Sequence, residues 1–198
     1  MDLNDLYYKD PSFVDPTDGM SLISAPMMSD PYFRRSVIFL LDREEDGTHL
    51  GLVLNRATDV TLDMLLEDWP ETDKIHIYNG GPVELDRLFM LHRLGDVIDK
   101  STELIPGIYS GGNPEQLRDY IAAGGETEGK IRFFLGYSGW GSGQLTKEIV
   151  ENTWAVNPHP DTSNLLLGKG NDYWRREVAS LGADYKSWLH IPEFPSMN

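Results

Sequence analysis

Apolar residues along the chain fall into short runs separated by turn-forming clusters, with helical spacing in only a few places. Met20 to Ser24 and Val37 to Leu41 are two such runs, and Asp30-Pro31 lies between them, which predicts strands joined by a turn-rich loop. Leu50 to Leu54 reads as a further buried strand, and Asp42 to Gly47 as the turn of an antiparallel hairpin before it. Thr61 precedes Leu62, Leu65, Leu66 and Trp69 at helical spacing and Pro70 stops the run, so a core-packed helix is expected over 62–69. Ile75 to Tyr78 and Leu88 to His92 predict strands around the Gly80-Gly81-Pro82 turn, with another extended piece near Ile108-Tyr109. Asn113 is a good N-cap, Pro114 suits the first helical position and Gly124-Gly125 closes the segment, which together predict a helix. Ile131 to Leu135 predicts a buried strand and Gln144 to Glu151 a helix, with a glycine loop between them; Asp172 to Leu181 predicts a last helix ended by Gly182.

Strands and helices interleave without regular βαβ alternation, and several strand pairs are close enough to be hairpins, so the expected class is α+β. Residues 1–19, dense in acids and carrying Pro11, Pro16 and Gly19, read as an acidic N-terminal extension, and 20–198 as one domain. The 198 residues, 40% of them apolar, suffice for one sizeable core. No run approaches the roughly 18 apolar residues of a membrane helix, and the acidic amino end lacks the basic start of a signal peptide, so a cytoplasmic protein without membrane contact is expected. Thirty-two acids against seventeen bases give a formal charge of −15, which repels phosphate backbones and argues against direct nucleic-acid binding. The Arg34-Arg35 and Arg175-Arg176 pairs read as surface charges or local ion-pair partners. The chain has no cysteine, which excludes disulfides, thiolate zinc sites and a cysteine nucleophile.

The segment Gly136-Tyr137-Ser138-Gly139-Trp140-Gly141-Ser142-Gly143-Gln144 concentrates the candidate chemistry. A glycine loop before a helix start offers unpaired N–H groups to an anion, but the spelling matches neither G-x-G-x-x-G nor a Walker loop, and the glycines equally serve close packing around Trp140. Ser138 follows a strand and precedes a helix, as an elbow nucleophile does, with Asp161 or Asp172 and His190 in triad order; Trp140 stands where the elbow needs its last glycine. The five histidines are dispersed and lack metal-ligand spacing, so neither a metal nor another cofactor is expected. If the Gly80-Gly81 and Ser110-Gly111-Gly112 corners meet the third glycine segment, then Tyr78, Tyr109, Tyr137 and Trp140 with Asn55, Arg56 and Gln144 form an amphipathic pocket for a small polar ligand. The alternative is a set of tight turns over core aromatics.

Ala25 to Phe33 with Arg35-Ser36-Val37, Gly51-Leu52-Val53-Leu54-Asn55, Asn79-Gly80-Gly81-Pro82-Val83, Tyr109-Ser110-Gly111-Gly112 and Gly136 to Leu145 occur in an order that resembles the AlgH/YqgE family of bacterial proteins, from about Met20 to Asn198. The resemblance implies a mixed, largely antiparallel sheet curled into a pseudo-barrel with helices around it. It brings no catalytic residues and no cofactor. Members carry the label of transcriptional regulators, yet the helix after Asn113 leads into a strand where a helix-turn-helix needs a second helix. The expected function is a noncatalytic binding or regulatory protein acting through an unknown small ligand or protein partner. The alternatives are a small-molecule hydrolase using the Gly136–Gln144 loop and direct DNA regulation.

Overall fold

A computed structural model of the chain describes residues 13–43, 45–66, 69–70 and 75–193. Among the described residues, ten strands share one sheet: β1 (Ser21–Ser24), β2 (Val37–Arg43), β3 (His49–Val53), β4 (Ala57–Thr61), β5 (His76–Asn79), β6 (Val83–His92), β7 (Ser101–Ile105), β8 (Ile108–Gly111), β9 (Ile131–Trp140) and β10 (Trp154–Asn157). The order runs β10-β1-β2-β3-β9-β6-β8-β7, while β5 pairs with β9 and β4 with β5. All pairings are antiparallel except β5 with β9, where Ile77 faces Phe133. The fold is α+β, a largely antiparallel sheet curled into a half-barrel. Register shifts between Leu40 and Asp42, Val83 and Leu88, and Glu103 and Ile105 supply local bends of the kind that let a sheet curl.

Alternation along the strands sends side chains into separate cores. Ile23, Val37, Phe39, Leu52, Leu54 and Phe134 face a cluster completed by Leu165 of helix α4 (Thr162–Leu165) and by Tyr173, Trp174 and Val178 of helix α5 (Gly170–Ser180). Leu22, Ile38, Leu40 and Val53 face the opposite way, against Trp140, Trp154 and Leu145 of helix α3 (Gln144–Val150). Ile77, Ile131 and Phe133 pack under Leu117 and Ile121 of helix α2 (Pro114–Ala122). A 3-10 helix, Ala183–His190, follows α5 and covers it.

The β2–β3 hairpin has the expected partners, with Ile38 opposite Val53. Helix α2 begins as expected: Asn113 Oδ1 accepts the Glu115 and Gln116 amides at 2.9 and 3.4 Å. The helix expected over 62–69 is a single turn, α1 (Leu62–Leu65), and Thr61 makes no side-chain cap; residues 67–68 lie outside the described residues. Strands β4, β7 and β10 are additions to the expectation, each with partly exposed faces that weaken the apolar signal. The strand expected over 131–135 continues to Trp140, because Ser138, Gly139 and Trp140 pair with β3. Much of the expected glycine loop is therefore strand. Of the acidic extension, residues 1–12 lie outside the described residues; the Gly19 amide donates to the Leu40 carbonyl at 2.9 Å.

Candidate functional site

Two of the three glycine corners cross. Gly136, at φ 67°, bends β9 so that Gly80 and Gly81 lie against its backbone; a Cβ at Gly80 would stand 2.2 Å from the Gly136 carbonyl oxygen. The Gly80 carbonyl accepts the Val53 amide at 2.9 Å and the Ser138 hydroxyl at 3.1 Å. Ser138 has no exposed surface and hydrogen-bonds this carbonyl, not a histidine. That geometry is a structural tie and corrects the elbow reading, because a nucleophile needs a base within reach and an approach for substrate.

Trp140 is buried, 6.5 Å from the Phe33 ring and 5.9 Å from the Trp154 ring. Its indole N–H donates to Glu148 Oε2 at 2.9 Å, and the Trp154 indole donates to the same oxygen at 2.8 Å. Gln144 accepts the Gly141 amide at 3.1 Å and donates to Glu148 Oε1 at 2.8 Å. The Gln144 side chain thus answers a loop N–H that an anion would have taken. Trp140 is core and Gln144 is a local cap.

The third corner lies apart. Val83 faces Tyr137 at one end of β6, whereas Leu91, which faces Ser110, pairs with Arg132 five residues back along β9, a strand distance of roughly 17 Å. Tyr109 therefore stacks on His92, centroids 5.7 Å apart, and its hydroxyl pKa is raised by a hydrogen bond with Glu103. Tyr137 packs edge-on against Phe89 at 5.8 Å. These aromatics do not share one pocket with Trp140.

Asn55 and Arg56, adjacent in sequence, divide in role. Asn55 is buried, accepts the Val37 amide at 3.0 Å and donates to the Arg35 and Gly170 carbonyls at 2.9 and 2.8 Å, so its amide is fully engaged in tying β2 to α5. Arg56 instead lines a cleft of about 260 Å³ with Pro31, Tyr32, Val53, Asn79 and Gly81. One of its terminal nitrogens donates to the Arg34 carbonyl, and its buried Nε meets no acceptor among the described residues. Burial lowers the guanidinium pKa; Glu193 opposes that effect and Arg34 adds to it. The Asp30–Arg35 turn shapes the other wall: Asp30 Oδ1 accepts the Tyr32 amide at 2.8 Å, leaving Tyr32 45% exposed while Phe33 packs on Trp140 and Trp154.

The AlgH-like family profile matches residues 21–186. The chain belongs to the AlgH-like family. It is 42% identical over 184 residues to a UPF0301 protein of Parabacteroides distasonis, with 92% of each chain covered. A UPF0301 protein of Bacteroides thetaiotaomicron is 35% identical over 195 residues, with 98% of each chain covered. Among solved structures, the solution structure of the AlgH protein from Pseudomonas aeruginosa matches with a TM-score of 0.67 and 32% identity over 91% of this chain and 97% of that one. A Corynebacterium diphtheriae protein matches with a TM-score of 0.70 at 23% identity, over 89% and 93% of the two chains, and shows the shared fold.

In this AlgH-like chain the arginine pairs are not a simple surface stripe. Arg35 is buried, donates to Asn171 Oδ1 at 3.0 Å and the Ile191 carbonyl at 2.6 Å, and lies 4.7 Å over the Trp174 ring, which corrects the surface reading of that pair. Arg175 donates to the Leu189 carbonyl at 3.0 Å and Arg176 sits 5.2 Å over the Tyr173 ring. Among the described residues no helix is long and apolar enough to cross a membrane, and no group of three or more His, Asp or Glu is placed to hold a metal. Two features of the AlgH-like chain escaped the pattern: Tyr32 at the cleft, hidden in what reads as a turn, and Arg132, a cation inside an apolar strand. The second had a signal, since a lone arginine in a buried run must find a compensating environment.

Proposed function

We propose that this AlgH-like protein is a noncatalytic binding protein of the cytoplasm, which receives an anionic group of a small ligand or of a protein partner in the Arg56 cleft. The observation that carries this reading is Arg56 itself: a guanidinium at a cleft wall with a buried Nε that meets no acceptor among the described residues. The guanidinium is thus only partly spent on protein acceptors, and the part of it that lines the cleft can meet an arriving carboxylate or phosphate by a charge-assisted bond. The cleft volume suits a small group better than a dinucleotide. Asn79, Gly81 and Tyr32 add polar and aromatic surface, and Arg34 keeps the neighbourhood positive in an otherwise acidic protein.

The test is a thermal-shift screen against organic acids, sugar phosphates, nucleotides and acidic peptides, run in parallel on Arg56→Gln. At least one anion is expected to raise the melting temperature of the native protein and to lose most of that effect in the variant. Hits that Arg56→Gln leaves intact would remove the cleft from the function. Turnover of an ester panel that disappears in Ser138→Ala would replace binding by hydrolysis.

A further inference from the structure

Arg132 lies in the middle of the sheet, 3% exposed, where β9 passes β5. One terminal nitrogen donates to the Leu54 and Gly168 carbonyls at 2.7 and 2.8 Å, the other donates to the Leu166 carbonyl, and the Tyr78 ring lies 4.0 Å from the guanidinium carbon. Among the described residues it makes no ion pair: Glu128, the acid whose field reaches it, is bonded to Lys169 at 3.2 Å. Three carbonyls and an aromatic face stabilise the cation, but they bring no formal negative charge. They also engage only three of the five N–H groups of the fork.

Arg132 forms part of the wall of a cavity of about 590 Å³ between β4, β5 and the loop before β9. Thr58, His76, Thr127 and Lys169 give it polar positions; Ile75, Tyr78 and Leu166 give it apolar ones. The cavity is separate from the Arg56 cleft, with which it shares no lining residue. From the buried guanidinium, which has no ion pair among the described residues, and the partly open volume beside it, we infer that this cavity binds a small organic acid through one carboxylate held by Arg132. A planar carboxylate matches the two remaining donors of a guanidinium as a bidentate pair. Asp59 and Glu128 also line the cavity and repel a dianion, which selects a monocarboxylate over a phosphate. The apolar wall takes the body of the acid, and a volume of this size accommodates an aliphatic or single-ring acid.

The experiment is an amide-resolved NMR titration of the full chain with sodium butyrate and sodium phenylacetate, with inorganic phosphate at matched ionic strength as the comparison. Saturable shifts are expected at Thr58, His76, Thr127 and Lys169 with the carboxylates and not with phosphate. Arg132→Lys keeps the charge and loses the fork, and should weaken the carboxylates about tenfold. Because Arg132 also holds three carbonyls, Thr127→Trp provides a second variant that fills the cavity while leaving Arg132 and its three carbonyl bonds in place, and it should abolish the shifts. Arg56→Gln should leave them unchanged. Absence of saturable shifts in the native protein, equal affinity in Arg132→Lys and Thr127→Trp, equal response to phosphate, or loss of the shifts in Arg56→Gln would each overturn the assignment.

Discussion

His92 shows how a single buried residue sets a pH dependence. Its Nδ1 lies 3.1 Å from the Leu94 amide, which only donates, so Nδ1 accepts and the proton sits on Nε2, facing the Gly111 carbonyl at 3.1 Å. Burial lowers the imidazole pKa, with the Gly111 hydrogen bond acting weakly the other way. The unfolded chain then binds more protons than the folded one as pH falls from the ordinary histidine value of about 6.5 toward the lowered folded value, so the stability contributed by neutral His92 is present above the first and is lost on the way down through the second. Denaturant midpoints measured down the pH scale should fall in that range, and His92→Gln should flatten the decline; an unchanged slope in the variant would assign it elsewhere. Glu177 works in the opposite sense. Its carboxyl pKa is raised by burial, so it opposes folding as pH rises through and above the usual carboxylate range. Neither effect was legible from residue type, since both arise from surroundings assembled by distant segments.

Helix α3 is fastened to the sheet by Glu148 more than by its own seven residues, too few for an independently stable helix. Both oxygens of the carboxylate are engaged, one by two indoles and the other by Gln144, which joins β9, β10 and the helix start in one cluster. Glu148→Ala leaves two largely buried indole N–H groups without their acceptor, and a loss of about 2–4 kcal/mol is expected. Tryptophan emission should report the same change by moving to longer wavelength as water reaches Trp140 and Trp154; unchanged emission and stability would show that the cluster holds by packing alone. The helix itself is legible from Leu145 and Ile149 at i, i+4, whereas the glycine-rich stretch before it reads as a loop and is strand as far as Trp140. Glycines are poor strand formers, and only pairing with β3 and the crossing at Gly80 keep that stretch extended.

At the scale of the molecule, β9 is the hub: its first half pairs with β5 and β6 and its last three residues with β3. Opening those pairs requires disrupting the sheet, so the amides of Ile131 to Leu135 should exchange only through global unfolding, with protection equal to the full stability measured by denaturant. The one-turn helix α1, with Met64 67% exposed, should exchange through local opening. Equal protection in both would contradict the hub. The α+β class, the β2–β3 hairpin, the Asn113-capped helix and the family were all determined by the sequence, because apolar period, capping residues and glycine-rich blocks are local signals carried by contiguous residues. Tertiary structure decided which glycine corners cross, that Ser138 and Trp140 are interior, that Arg35 and Arg132 are buried cations, and that Tyr32 meets Arg56 and Asn79 at a cleft. These depend on partners tens of residues away, and side-chain chemistry there is set by burial and hydrogen bonding that exist only once the sheet has closed around them.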